Sequence, residues 1–326
     1  MKTLKHISLV GALAFGMTAM STQAMAQSYP DKPIRLIVAD APGGAPDILA
    51  RMLAQKMSDS MGQPVVVDNK PGAAGMVGAE QAARAPADGY NLFMNQTAVW
   101  GILPSVKKNL PYDPVNSFMP ITRIAITSNV MVINPSISAK TVPELVKLAK
   151  ANPGSINYAS AGIASPAHLA GEMFNLLADV KLTHVPYKGA GPALLDVIGG
   201  QVQLIITSPI AAGAHISTGK VRALATTGAQ RNPALPDLPT IAESVKGYEI
   251  SQAWGITVPN GTPAAIVNRL HAEIIKAISQ SDTRDRISKL GAVPFTETPG
   301  EFAAAIAADR KRLGDVITKT GIVLAD

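Results

Sequence analysis

The sequence predicts an α/β fold in two domains. Strand-like and helix-like segments alternate along nearly the whole chain, the pattern of βα units packed on a sheet. A strand, a small-residue turn and a helix follow one another twice, at 34–57 and again at 157–178. Roughly 300 residues remain after an N-terminal leader is removed, more than one core usually serves. Mostly parallel sheets are therefore expected.

The chain opens with Met1-Lys2-Thr3-Leu4-Lys5, an apolar run from Ile7 to Met20, and the ending Ala24-Met25-Ala26. A basic start, a short apolar stretch and an Ala-x-Ala site make a secretory signal peptide, residues 1–26. No other segment approaches ~18 consecutive apolar residues, so the mature chain is expected to be soluble and exported. It has no cysteine, so its stability is expected to come from the core, and an N-terminal lipid is ruled out.

Ile34–Ala39 reads as a buried strand and Ile48–Met57 as an amphipathic helix. Between them lies Ala41-Pro42-Gly43-Gly44-Ala45-Pro46-Asp47. A helix N-terminus there offers free backbone N–H groups and the positive end of a dipole, which suits a carboxylate or phosphate. The glycines let such an anion approach the backbone. Asp47 reads as a first-turn charge that balances the dipole. Asp40 stays open between a turn residue and a ligand contact.

Pro64–Asn69 reads as the next strand, with Ala79–Arg84 in the helix after it. Tyr90–Met94 is a third strand, ending at Asn95-Gln96-Thr97. Ile121–Ala125 and Asn129–Asn134 are strand-like. Thr141 and Glu144 have the spacing of a capping box. Asn157–Ser160 is a short strand, Ala161–Pro166 a second small-residue turn, and Ala167–Ala178 a helix. Leu182–Tyr187, Val202–Thr207 and Val221–Thr226 continue the strands, and Lys188–Pro192 opens a helix. Ile266, Leu270, Ile274 and Ile278 mark one late helix, and Thr298–Glu301 caps the last.

Several chemistries have no signature here. His168, His184, His215 and His271 are widely separated, so no metal site is expected. There is no Gly-x-Ser-x-Gly elbow and no phosphate loop. Gly72, Gly75 and Gly78 lack dinucleotide spacing, and no cofactor is expected. The net charge of +6 falls to +4 without Lys2 and Lys5 (6 − 2). That mild excess is spread out, which argues against nucleic acid and favours anionic small molecules.

These residues carry a resemblance. Tyr29-Pro30-Asp31-Lys32-Pro33-Ile34, Ala41-Pro42-Gly43-Gly44, Asp68-Asn69-Lys70-Pro71-Gly72-Ala73 and Ala87-Asp88-Gly89-Tyr90 stand in the first half. His184-Val185-Pro186-Tyr187-Lys188-Gly189, Leu235-Pro236-Asp237-Leu238-Pro239-Thr240 and Val258-Pro259-Asn260-Gly261-Thr262-Pro263 stand in the second. In this order the chain resembles the Bug (TctC-like) periplasmic solute-binding proteins of tripartite tricarboxylate transporters.

The resemblance implies a Venus-flytrap architecture, with ligand held between two domains that close by hinge bending. Residues 27–126 and 251–326 would form one domain and 127–250 the other. It implies a small organic carboxylate as ligand, integral membrane subunits as partners, a periplasmic monomer and no catalysis. An exported enzyme and a ligand-presenting sensor are the alternatives. The implied ligand contacts are Pro42, Gly43, Gly44 and Ala45 on the first loop and Ser160, Gly162 and Ser165 on the second. Asn95, Gln96 and Thr97 join them, and Lys188 is open between the cleft and the surface. Ala39-Asp40 stands where family members commonly carry a proline and an aromatic residue. Thr207 stands where an Asp is often found. Ala41, Ala45, Val99, Trp100, Ile163 and Ile210 would form an apolar wall, suited to an aromatic mono- or dicarboxylate of the phthalate type; for Trp100 and Ile210 the alternative is a place in the core.

Overall fold

A computed structural model describes residues 29–233 and 235–320. The expected signal peptide lies outside them. The first half builds β1 (Ile34–Val38), α1 (Ala45–Met61), β2 (Val65–Asn69), α2 (Met76–Ala83) and β3 (Asn91–Gln96). A π-helical turn, Ala98–Ile102, then runs into α3 (Leu103–Val106). The middle holds β4 (Phe118–Ser128), β5 (Val130–Ile133), α4 (Val142–Ala151), β6 (Asn157–Ser160), α5 (Pro166–Leu177), β7 (Thr183–Pro186), α6 (Ala190–Ile198), β8 (Leu204–Thr207), α7 (Pro209–Ser217) and β9 (Arg222–Thr226). The chain ends with β10 (Ser251–Pro259), α8 (Ala264–Ser279), α9 (Ser281–Lys289), β11 (Val293–Pro294) and α10 (Pro299–Thr320).

The strands form two sheets, ordered β11-β4-β10-β3-β1-β2 and β7-β6-β8-β5-β9. They are mixed rather than mostly parallel. β1 pairs parallel with β2 and β3, and β6 with β7 and β8. β10 runs antiparallel to β3 and β4, and β5 to β8 and β9. The antiparallel strands are the ones that carry the chain between sheets. β4 passes into β5 through Asn129 alone, and the chain returns from β9 to β10. A strand that enters a sheet from its neighbour arrives from the opposite end to a βαβ crossover, and so runs backwards.

At this crossover the two connections are tied together. Asn129 N–H donates to Thr227 Oγ1 (2.7 Å), and Thr227 N–H donates to the Asn129 carbonyl (2.9 Å). Thr227 Oγ1 in turn donates to the Ile250 carbonyl (2.6 Å).

β1 is buried on both faces along Leu36–Val38, which explains the apolar residues there, while Arg35 near its start is half-buried and pairs with Asp68. Ile34, Leu36 and Val38 pack with Leu49 and Leu53 of α1 and Leu270 and Ile274 of α8. Ile37 packs oppositely with Phe93 and with Ala79 and Ala82 of α2. α1 starts at Ala45, inside the stretch read from sequence as turn, because Pro46 fits the first helical turn. It stops at Gly62, whose φ of 72° forms a left-handed cap. β10 was not read from the sequence at all, although it is central to its sheet.

α10 docks against the first sheet through Phe302. An added Cβ at Gly255 of β10 would sit 2.4 Å from the Phe302 ring. Gly255→Ala should therefore cost about 1–3 kcal/mol of stability through overpacking. Urea unfolding of the two proteins measures this, and an unchanged midpoint would refute the packing account.

Candidate functional site

Helix N-termini converge on one cavity of about 40 Å3 between the two sheets. Ala45 and Pro46 open α1, Gly75 caps α2, Ser165 caps α5, Gly189 caps α6 and Ser208 caps α7. All of these residues line the cavity. Each helix brings partial positive charge and N–H groups without intrahelical partners. Ser165 and Ser208 cap their own helices, accepting from His168 N–H and Ile210 N–H. Gly44, Gly75 and Gly189 supply no side-chain cap. No Lys or Arg among the described residues lines the cavity, and Asp40 is its only charged side chain.

Asp40 sits at the end of β1 and is 6% exposed. Its Oδ1 accepts the N–H of Ala41 (2.7 Å) and, from the other sheet's side, the N–H of Ala190 (3.1 Å). It thus caps α6 across the cleft. Burial pushes its pKa up to about 6, with Asp47 adding to the rise and the two N–H groups opposing it. Burial also works against the charge on Asp47. Arg51, Gly43 N–H and Asn69 outweigh it there and hold that carboxyl below its ordinary range. A second carboxylate placed 4 Å from an ionised Asp40 would be opposed by about 4 kcal/mol at an effective dielectric constant of about 20.

Two loops touch because of glycines. A Cβ on Gly189 (φ 132°) would lie 2.5 Å from Asp40 Oδ1, and one on Gly191 would lie 2.3 Å from the Pro42 carbonyl oxygen. Gly162 (φ 124°) approaches Ala74 N in the same way, at 3.3 Å. Ala74 (φ 54°) and Ala164 (φ 64°) hold left-handed backbone in the facing loops, a conformation that L-residues adopt only at a cost.

Of the residues expected at the ligand, Asp40, Ala45, Gln96, Ser165 and Thr207 line the cavity. The others stand behind it. Pro42 meets Gly191, Gly43 N–H donates to Asp47 Oδ2 (3.0 Å), and Gly44 caps α1. Asn95 turns to a separate cavity of about 150 Å3 beside Trp100 and Tyr112. Thr97 Oγ1 accepts from Ala253 N–H (2.9 Å), which ties β3 to β10. Ser160 is fully buried, and Gly162 N–H donates to its Oγ (3.1 Å). Lys188 is exposed.

The expected apolar wall is corrected. Trp100 packs edge-on against Phe302 at 5.4 Å and donates to Asp309 Oδ2 (3.2 Å). Ile210 belongs to the first core, Val99 packs with Ile37, and Ile163 lies against the second core. Ala41 abuts Gly189. Ala45 alone of that set lines the cavity, and the apolar wall comes from Trp254, Ile205 and Ile206. The sequence reading missed Asn129, Ser208, Gln252 and Trp254. Asn129 and Ser208 sit at strand ends, where an available signal was their polarity beside an apolar run. Gln252 and Trp254 lie on the unread β10.

Under the second loop lie two stacked histidines. The rings of His168 and His184 are 3.8 Å apart and 9° from parallel. Ala164 N–H donates to His168 Nδ1 (3.1 Å), and His184 Nε2 is hydrogen-bonded to Ser160 Oγ (2.6 Å). Burial lowers the pKa of His184 to about 4, and burial plus the neighbouring ring lowers that of His168 to about 3. Both are neutral at pH 7. Ser160 and His184 are not among the cavity walls, so the pair buttresses the loop. No helix among the described residues is long and apolar enough to cross a membrane. No acidic, His or Cys cluster among them could hold a metal.

Residues 49–322 match the tripartite tricarboxylate transporter family receptor, TctC. The chain belongs to the TctC family. Protein BugT of Bordetella pertussis is 32% identical to this TctC receptor over 99% of this chain and 100% of its own length. The solved periplasmic binding protein BugD superposes with a TM-score of 0.87 at 34% identity, covering 90% of this chain and 99% of its own. An R. palustris protein solved with adipate gives a TM-score of 0.87 at 32% identity, again covering 90% and 99%.

The histidine pair should lower the stability of the chain in acid. Below pH 6.5 the unfolded chain takes up protons that the folded one refuses until about pH 4 and 3, so stability falls as pH falls. Asp40 acts in the opposite sense between about pH 6 and 3.8, since there the folded state binds the proton more readily. Two groups outweigh one. The melting temperature should drop by roughly 5 °C or more between pH 7 and pH 4, and Asp40→Asn should steepen the loss. Thermal melts across that range test both signs.

Proposed function

We propose that this TctC receptor captures a small organic carboxylate in the periplasm and delivers it to integral membrane subunits of its transporter. The observation that carries the reading is the convergence of helix N-termini on a cavity that no described Lys or Arg lines. Backbone donors and dipoles can hold a carboxylate there without a cationic side chain. The adipate bound to the R. palustris relative is a ligand of the same chemistry.

Residues 27–126 and 251–326 act as one domain of a monomer and 127–250 as the other, bending at the crossover near Asn129 and Thr227. The ligand favours the closed form because both loops touch it only there. Neither Ser160 nor His184 lines the cavity, which argues for a binder over an enzyme. The finer reading is an acid of the phthalate type. Its support narrows to the flat wall of Trp254, Ile205 and Ile206, while Asp40 opposes its second carboxylate.

Thermal shift of residues 27–326 against aliphatic, aromatic and amino-acid carboxylates tests the reading. A ligand at 100 times its Kd adds about 2.7 kcal/mol, a readily measured shift. No shift with any acid would overturn the carboxylate assignment. Closure has its own test in Gly191→Ala. Alanine suits a helix better than glycine, so the unliganded melting temperature should hold or rise. The clash with the Pro42 carbonyl should weaken binding at least tenfold, measured by calorimetry.

A further inference from the structure

The cavity of about 150 Å3 beside Trp100 and Tyr112 has no part in the carboxylate reading. It lies between the end of β3, the π-helical turn, the loop before β4 and α10. Single π-helical turns occur mostly at functional sites. The rings of Trp100, Tyr112 and Phe118 stand on the cavity wall together with Asn95, which is only 2% exposed. The mouth opens at Val115 and Ala307, both exposed. A space of this size has room for one six-membered ring. A ring placed there removes apolar surface from water.

The polar tips of the aromatic wall already have partners. Tyr112 O–H donates to the Val99 carbonyl (2.7 Å), and Trp100 Nε1–H donates to Asp309 Oδ2 (3.2 Å). Asn95 differs. Its Oδ1 accepts the N–H of Gln96 (2.8 Å), which fixes the end of the amide that carries the NH2 group. That Nδ2 donates to no described residue. A buried donor without an acceptor is costly and calls for one from elsewhere. At the rim, the charge of Arg310 is opposed by the Asp113 carboxylate. An anion taken to the depth of the cavity would exchange its water for one amide, which is unfavourable, whereas a neutral acceptor loses far less.

We propose that this cavity is a second ligand site, taking a neutral, ring-sized molecule with one hydrogen-bond acceptor, such as an aryl ketone, whose carbonyl accepts from Asn95 Nδ2. The site stands independently of the carboxylate reading, because a neutral ketone brings the helix N-termini no charge to hold. The two cavities nevertheless share a wall. Asn95 and Gln96 are successive residues of β3, and one lines each cavity. Gly75 lines the first cavity, and a Cβ there would lie 3.1 Å from Val99 Cγ2 on the wall of the second.

The chain has two tryptophans and one lines each cavity, Trp254 the first and Trp100 the second. Their indole N–H signals in proton–nitrogen NMR spectra of residues 27–326 therefore report the two sites separately, with Trp254→Phe giving the assignment. Acetophenone should shift the Trp100 signal saturably, and by more than that of Trp254. Ala307→Phe fills the mouth from an exposed position, so it should weaken this binding at least tenfold while the melting temperature holds. Isopropenylbenzene has the outline of acetophenone with a CH2 group in place of the carbonyl oxygen. Asn95→Leu should lower the preference for acetophenone over it by about fivefold or more, the size of one hydrogen bond. If acetophenone leaves Trp100 unmoved up to its solubility, or moves Trp254 alone, the second site is overturned. If Trp100 responds but Asn95→Leu leaves the preference unchanged, the assignment of a carbonyl to Asn95 is overturned. Should Asn95→Leu not fold, the tryptophan signals of the unaltered chain and of Ala307→Phe decide the matter.

Discussion

The contact between Asp40 and the start of α6 is the constraint on which the site depends. One carboxylate oxygen accepts an N–H from its own loop and another from a helix of the other sheet's side. The approach is possible only because residues 189 and 191 have no Cβ. A charge-assisted hydrogen bond to a helix N-terminus is stronger than a neutral one, and here it is also shielded from water. The cavity exists because these two loops meet. Its electrostatic character, positive helix ends around one negative side chain, is set by the same residues.

The donors that converge on the cavity are backbone groups, which has consequences for selectivity. Helix N-termini recognise charge and direction but leave much of the ligand's outline unread. Discrimination then falls to the few side chains on the wall. In this chain these include Asp40, Gln96, Asn129, Thr207 and Gln252, with Trp254 as the large apolar surface.

The second loop is supported from beneath by a polar stack. Tyr158, His184 and His168 lie over one another, and His184 and His168 hold Ser160 and Ala164. These bonds keep the loop's backbone aimed at the cavity, Ala164 in a left-handed conformation included. Neutral imidazoles can do this within a core where charged ones could not. The stack therefore links loop geometry to protonation, although none of its rings touches the cavity.

Local features were legible in the sequence because their causes are local. The apolar run at 34–38, the Pro-Gly-Gly turn, the Ser165 cap and the small-residue loops announce strands and helix N-termini through steric and hydrogen-bonding preferences that act within a few residues. From these the α/β class followed, and of the residues proposed at the ligand Asp40, Ala45, Gln96, Ser165 and Thr207 share one cavity. Tertiary structure alone decided the rest. Pro42, Gly43 and Gly44 were expected to touch ligand, yet they close the turn and meet α6. Trp100 was open between the wall and the core, and Phe302, some 200 residues away in the chain, claims it for the core. Asn129 and Trp254 reach the cavity because antiparallel strands cross between sheets, a pairing that no short stretch of sequence encodes. Which side of a residue faces the cavity depends on partners distant in sequence, and those contacts exist only once both sheets are packed.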